Sequence, residues 1–213
     1  MSTLSSSFRG LFIVVSLLAL YGCSIGPANR NAPHTYLLDP KLSITSFARN
    51  QEPAVSTTLL VSAPRAQPAL DTARMAYLLR PHEVSYYAFN QWADTPSRML
   101  APLLAQAMER TGLWRVVVQT PSTVRADYRL DCENLVLEQE FFSLSRVRLA
   151  LHAQLIDVKR QSVMDARDFE VFEDAPSDDA YGGVTAANRA VAKLLGELAE
   201  WTGAVMESTA ATR

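Results

Sequence analysis

Cysteine, histidine and glycine are scarce in this chain: 213 residues hold two, three and eight of them. His34, His82 and His152 lie in a tether, a turn and a strand, with no cysteine or second histidine at ligand spacing, which speaks against a zinc site. The glycines form no phosphate loop, and no Gly-x-Ser-x-Gly elbow marks a nucleophile. Two cysteines, Cys23 and Cys132, allow one bridge at most, so no disulfide framework holds the fold. Long apolar runs are missing too: Leu11 to Leu20 is about half of the roughly 20 residues a spanning helix needs, and Tyr21-Gly22-Cys23 interrupts it. With 20 basic against 22 acidic side chains there is no positive excess to suit nucleic acid. There is no internal repeat and no low-complexity tract.

What is present begins with that short apolar block. Residues 1 to 22 carry Arg9 as their only charge, the layout of a cleavable signal peptide. Leu20-Tyr21-Gly22-Cys23 resembles the lipobox of bacterial lipoproteins: an aliphatic residue, a tolerant position, a small residue, then the obligatory cysteine. Tyr21 is bulkier than that pattern usually carries. The resemblance implies cleavage between Gly22 and Cys23, a diacylglyceryl thioether on Cys23, and an acyl chain such as palmitate on the freed amine. Several acyl chains on one residue make a durable anchor, since each buried methylene adds about 0.8 kcal/mol. By the sorting rule of such lipoproteins, Ser24 rather than Asp after the cysteine implies the outer membrane. Lipidation consumes Cys23, and the mature chain has 20 − 1 = 19 basic and 22 acidic side chains, a charge of −3. Cys132 falls on the apolar side of an alternating stretch with Tyr128 and Leu130, as a buried small hydrophobe does.

Ser24 to His34 has no apolar period and is expected to be a tether, at most about 35 to 40 Å when fully extended. Thr35–Leu38 and Thr57–Ser62 are strand candidates, and segments 74–80 and 83–88 flank Pro81-His82 as a hairpin. Thr95-Pro96 opens a helix of about 15 residues that Gly112 stops. Leu113–Val118 follows, then three longer segments alternate with period two. In the second of them Val147, Leu149, Leu151, Ala153 and Leu155 share one face. A final helix opens near Ser177-Asp178-Asp179 with a stripe of Val184, Ala187, Val191, Leu194, Leu198, Trp201 or Thr202, and Val205. The expected fold is α+β: a mainly antiparallel sheet, one helix between its halves, and a long C-terminal helix packed on one face. The expected organisation is signal peptide 1–22, lipidated cysteine and tether 23–34, a single α+β domain 35–207, and a flexible tail 208–213.

Nothing in these patterns points to catalysis, a metal or a cofactor other than the lipid on Cys23. The acidic cluster from Glu170 to Asp179 lacks the spaced ligands and central glycine of a calcium loop, and fits a strand end and helix cap. The aromatics Tyr86, Tyr87, Phe89 and Trp92, just before a helix, form a candidate partner interface, with core anchoring an equal reading for Trp92.

Arg74-Met75-Ala76-Tyr77, Val84-Ser85-Tyr86-Tyr87 and Asn90-Gln91-Trp92-Ala93-Asp94-Thr95-Pro96-Ser97-Arg98-Met99-Leu100 together resemble the ABC-type transport auxiliary lipoproteins, the PqiC-like family associated with MCE (mammalian-cell-entry) proteins. The lipobox, the Tyr-Leu-Leu strand and the closing helix occur in the same order. The resemblance implies a non-catalytic, periplasm-facing outer-membrane lipoprotein in lipid transport, working with an MCE-domain protein that bridges the periplasm and with inner-membrane transporter components. Some members of that family assemble into homo-oligomeric rings that would dock the end of the MCE tube. The rival readings are a structural lipoprotein assisting assembly of another outer-membrane complex, one that inserts lipopolysaccharide or barrel proteins, and an envelope hydrolase with a site assembled from distant residues.

Overall fold

The computed structural model describes residues 32–44, 46–47 and 57–211. The signal-peptide segment, Gly22 and Cys23 lie outside the described residues. In chain order the elements are β1 (His34–Tyr36), β2 (Thr58–Val61), β3 (Arg74–Leu78), β4 (Val84–Trp92), α1 (Pro96–Arg110), β5 (Val116–Gln119), β6 (Tyr128–Glu140), β7 (Arg146–Asp157), β8 (Ser162–Asp174) and α2 (Ala180–Ala211).

The eight strands form one sheet with β6 as its spine. Along one edge β6 pairs with β7, which pairs with β8, both antiparallel. Its other edge is shared: β2 takes the first residues, Tyr128–Leu130, and β3 the last, Gln139–Glu140, both parallel to it. Beyond β2 lies β5, also parallel. Beyond β3 lie β4, antiparallel, and then β1, parallel to β4.

The expectation of a mainly antiparallel sheet is therefore corrected: the sheet is mixed, and four of its seven strand pairings are parallel. The physical reason lies in strand length. Tight turns join β6, β7 and β8, whose long alternation is visible in sequence. The short strands find same-direction partners through crossovers, and three to five residues are too few to carry a period.

Two bulges decide which side chains face inward. At Asn134, with φ of 54°, the register of β6 on β7 slips between Glu133 and Val136. Before the slip Tyr128, Leu130 and Cys132 point into the core; after it Leu135 and Leu137 do, so inward positions change from even to odd. In the β3–β4 hairpin, Arg74 pairs with Gln91 but Ala76 with Tyr86. Met75 thus stands opposite four residues of β4, Tyr87 to Asn90. The three extra residues reverse the parity of β4, which lets both Tyr87 and Trp92 pack on the same core.

That core lies between one sheet face and the two helices. Val184, Ala187, Val191, Leu194, Leu198, Trp201, Thr202 and Val205 of α2 are all buried, and α2 packs on β7 and β8. Burial of each Val or Leu is worth about 1.5–3 kcal/mol. Trp201 is held by its indole N–H, which donates to Asp165 at 2.7 Å. In α1 the Thr95 hydroxyl accepts from the Arg98 N–H at 3.4 Å, Pro96 opens the helix, and Gly112 leaves it at φ of 69°.

The other sheet face is largely ionic. Arg148 reaches Glu138 at 3.2 Å and Glu170 at 2.8 Å; Arg146 contacts Glu140 at 2.7 Å and lies 4.2 Å over the Phe172 ring. His152 meets Asp168 at 2.7 Å. A small apolar cluster of Leu70, Ala76 and Val136, with Tyr86 and Ala150 against it, interrupts the charges.

Candidate functional site

The aromatic stretch of β4 is divided by its bulge. Trp92 is buried in the main core, and its N–H donates to the Ala73 carbonyl at 2.7 Å. Tyr86 faces the ionic side, where the Arg74 guanidinium lies 3.9 Å over its ring and its hydroxyl donates to the Ala69 carbonyl at 2.7 Å. Tyr87 faces the helices and stacks on Tyr77 at 4.8 Å between ring centroids. Phe89, within the bulge, is 52% exposed. One aromatic of the four is thus presented to solvent, two are half-buried, and the fourth anchors the fold. The outer edge of β4 is covered by β1 only from Asn90 to Trp92, which leaves Val84 to Phe89 with no strand on that edge among the described residues. An exposed ring beside an open strand edge is an arrangement that accepts an added peptide strand.

Behind this edge sits a polar hub. Gln139 is buried at the end of β6. Its carbonyl accepts from the Tyr87 hydroxyl at 3.1 Å, and its amide donates to the Ser145 hydroxyl at 2.8 Å and the Asp179 carbonyl at 3.1 Å. One side chain therefore ties β4, the β6–β7 turn and the entry of α2. Gly183 makes room for it: a Cβ there would lie 2.2 Å from the Gln139 Oε1. Burial, then the neighbouring Tyr77 and Asp179, push the Tyr87 phenol up to about 12, so it stays a donor. Asp179 caps α2, its carboxylate accepting from the Gly182 N–H at 2.7 Å and the Ser177 hydroxyl at 2.8 Å; these bonds hold its pKa below the usual aspartate range. A cavity beside the hub, lined by Met75, Trp92, Leu137 and Ala187 among others, measures about 10 Å³, roughly the space of one water.

Cys132 is buried, and burial followed by the charge of Asp131 raises its thiol to about 12, so it is a packing residue. No group of three or more His, Cys, Asp or Glu able to hold a metal occurs among the described residues, and no helix there is long and apolar enough to cross a membrane.

A family model described as the ABC-type transport auxiliary lipoprotein component matches residues 36–199. The chain belongs to that family. Among solved structures it is similar to a Xanthomonas campestris protein of the DUF330 family, with 26% identity and a TM-score of 0.72 over 83% of this chain and 98% of that one. A second, described as an uncharacterized protein, shares 13% identity with a TM-score of 0.63, covering 80% and 99% of the two chains, and speaks to the fold alone. Comparison with curated proteins finds no match.

For an auxiliary lipoprotein of this kind the match spans the last residue of β1 through most of α2, the other seven strands included. The hub at Gln139 went unread in the sequence. Its one signal is Gly182-Gly183: consecutive glycines inside a helix cost about 1 kcal/mol each relative to alanine and call for a close neighbour.

Proposed function

We propose that this auxiliary lipoprotein is a non-catalytic outer-membrane component of a lipid transport system, anchored through Cys23 and docking a periplasm-spanning MCE protein. The observation that carries the reading is family membership across residues 36–199. The lipobox-like Leu20-Tyr21-Gly22-Cys23 supports the anchor. The open edge of β4 with Phe89 supports the docking face, because a strand edge supplies backbone hydrogen bonds and the ring supplies apolar area. Anchoring holds the docking face near its membrane, which raises the effective concentration of a weak contact.

The test is a photo-crosslinking residue at Phe89, introduced into the lipidated chain and into a Cys23→Ala variant, with adducts from intact envelopes identified by mass spectrometry. An MCE protein recovered from the first and depleted in the second is the expected result. A barrel protein or assembly factor as the sole adduct would replace this reading with that of an assembly lipoprotein.

A further inference from the structure

The exposed apolar side chains are unevenly placed. The β3–β4 turn, the β6–β7 turn and the link from β8 to α2 lie side by side at one end of the sheet. Phe141 N–H donates to the Leu78 carbonyl at 2.9 Å, Ala175 N–H to the Ser145 carbonyl at 2.8 Å, and Gln139 reaches both Ser145 and the Asp179 carbonyl. These connections present Leu79 at 62% exposure, Phe142 at 43% and Leu144 at 71%, and the first turn of α2 adds Tyr181 at 64%. Among the described residues the opposite end offers Val116, Val124 and Val163, with no aromatic among its large exposed apolar side chains.

The direction of β1 relates this end to the anchor. Because β1 runs parallel to β4, with His34 beside Asn90 and Tyr36 beside Trp92, the chain enters β1 from the side where β4 begins, at the apolar end. From Val84 to Asn90 is six residue steps, about 20 Å at most. The eleven residues Ser24–His34 span at most about 35 to 40 Å. That reach exceeds the distance from the start of β1 to the apolar turns. Charge at this end is mixed: Arg80 pairs with Glu83, and Asp179 is occupied in capping α2.

We infer that Leu79, Phe142 and Leu144 insert into the bilayer that holds the Cys23 lipid, so that the domain rests on the membrane by its turns. The inference rests on the lipid anchor at Cys23. The occupant is the acyl region of a zwitterionic bilayer, since among the described residues of these connections apolar side chains and no cationic patch meet it, and the contact is insensitive to salt.

The test uses the full mature lipidated protein with an environment-sensitive fluorophore on Leu144→Cys, Leu79→Cys or, as control, Val163→Cys; buried Cys132 escapes labelling. Each is reconstituted in phosphatidylcholine vesicles with and without lipids brominated along their acyl chains. The expected result is severalfold quenching at positions 144 and 79, none at 163, unchanged in 1 M salt. A Leu144 probe as unquenched as the Val163 probe, on protein that floats with the vesicles, overturns the insertion and leaves the anchor standing. A probe shielded from water but unquenched places a protein surface there, a second copy or a partner, and overturns it equally. Protein that fails to float at all sinks the anchor reading, and insertion with it.

Discussion

The two faces of the β6–β7–β8 ladder are built from the same strands and held by different physics. On the helix side every second residue of β7 from Val147 to Leu155 is apolar and buried in the core on which α2 packs. On the far side Arg146, Arg148 and His152 are bonded sideways to carboxylates of β6 and β8, and Gln154 bonds to His152 along its own strand. The first face gains stability from burial, which is nearly independent of pH. The second gains it from pairing, where each partner mainly offsets the desolvation of the other. One strand can serve both because alternation separates the two at every residue.

The comparison breaks hardest at the helix side. Leu194→Ala or Leu149→Ala removes a fully buried side chain and should cost about 2–5 kcal/mol in urea unfolding, with little change in pH dependence.

On the ionic side, Arg148→Met leaves Glu138 buried beside Glu140 without its cation, and should cost on the order of 2 kcal/mol near neutral pH. Burial already raises the Glu138 pKa, with Arg148 pulling it back and Glu140 adding to it. A carboxyl whose folded pKa exceeds its unfolded value binds more protons in the native state between the two. Stability therefore falls as pH rises through that window. Arg148→Met should steepen the fall, and Glu138→Gln in that background should abolish it; unfolding midpoints measured from pH 4 to 8 decide this.

Gly183→Ala sharpens the contrast at the hub, where a polar side chain crosses to the helix face. It should cost about 1–3 kcal/mol by displacing Gln139. In a Gln139→Ala background the same change should be neutral or gain up to about 1 kcal/mol from helix propensity. Equal costs in both backgrounds would deny the contact.

The smallest effect belongs to the rim. The bond from Lys159 and then the Thr58 N–H hold the Asp127 pKa below the ordinary aspartate value. Its contribution is present above that value and lost as pH falls through the lower folded one. Because the group is close to solvent, Asp127→Asn should change stability by less than about 1 kcal/mol, seen only as a slightly shallower acid limb.

Sequence reading reached the elements whose period runs long enough to count. The alternation of β7 and the stripe of α2 were visible because five or more side chains repeat, and the start of α1 because Thr95-Pro96 is local chemistry. The pairing of β2 with β5 and β6, and of β3 with β6, was hidden, since each joins segments some 60 residues apart and β2, β3 and β5 are too short to show a period. The aromatic run 86–92 stood out as composition, yet which ring faces water depends on three extra residues opposite Met75. A bulge of that size has no sequence signature, whereas Asn134 carries a faint one in its tolerance of positive φ.

The shared edge of β6 also sets a timetable. A ribosome makes β2 and β3 before the strand they must both join; β3 finds β4 at once, whereas β2 waits first for β5 and then for β6. From the end of β2 at Val61 to the end of β5, its first partner, at Gln119 is 119 − 61 = 58 residues, about 3 to 12 s of synthesis at 5–20 residues per second. Throughout that interval Thr58-Leu59-Leu60-Val61 is an unpaired β-former in search of a neighbour, and keeping it from the wrong one falls to whatever receives the nascent chain.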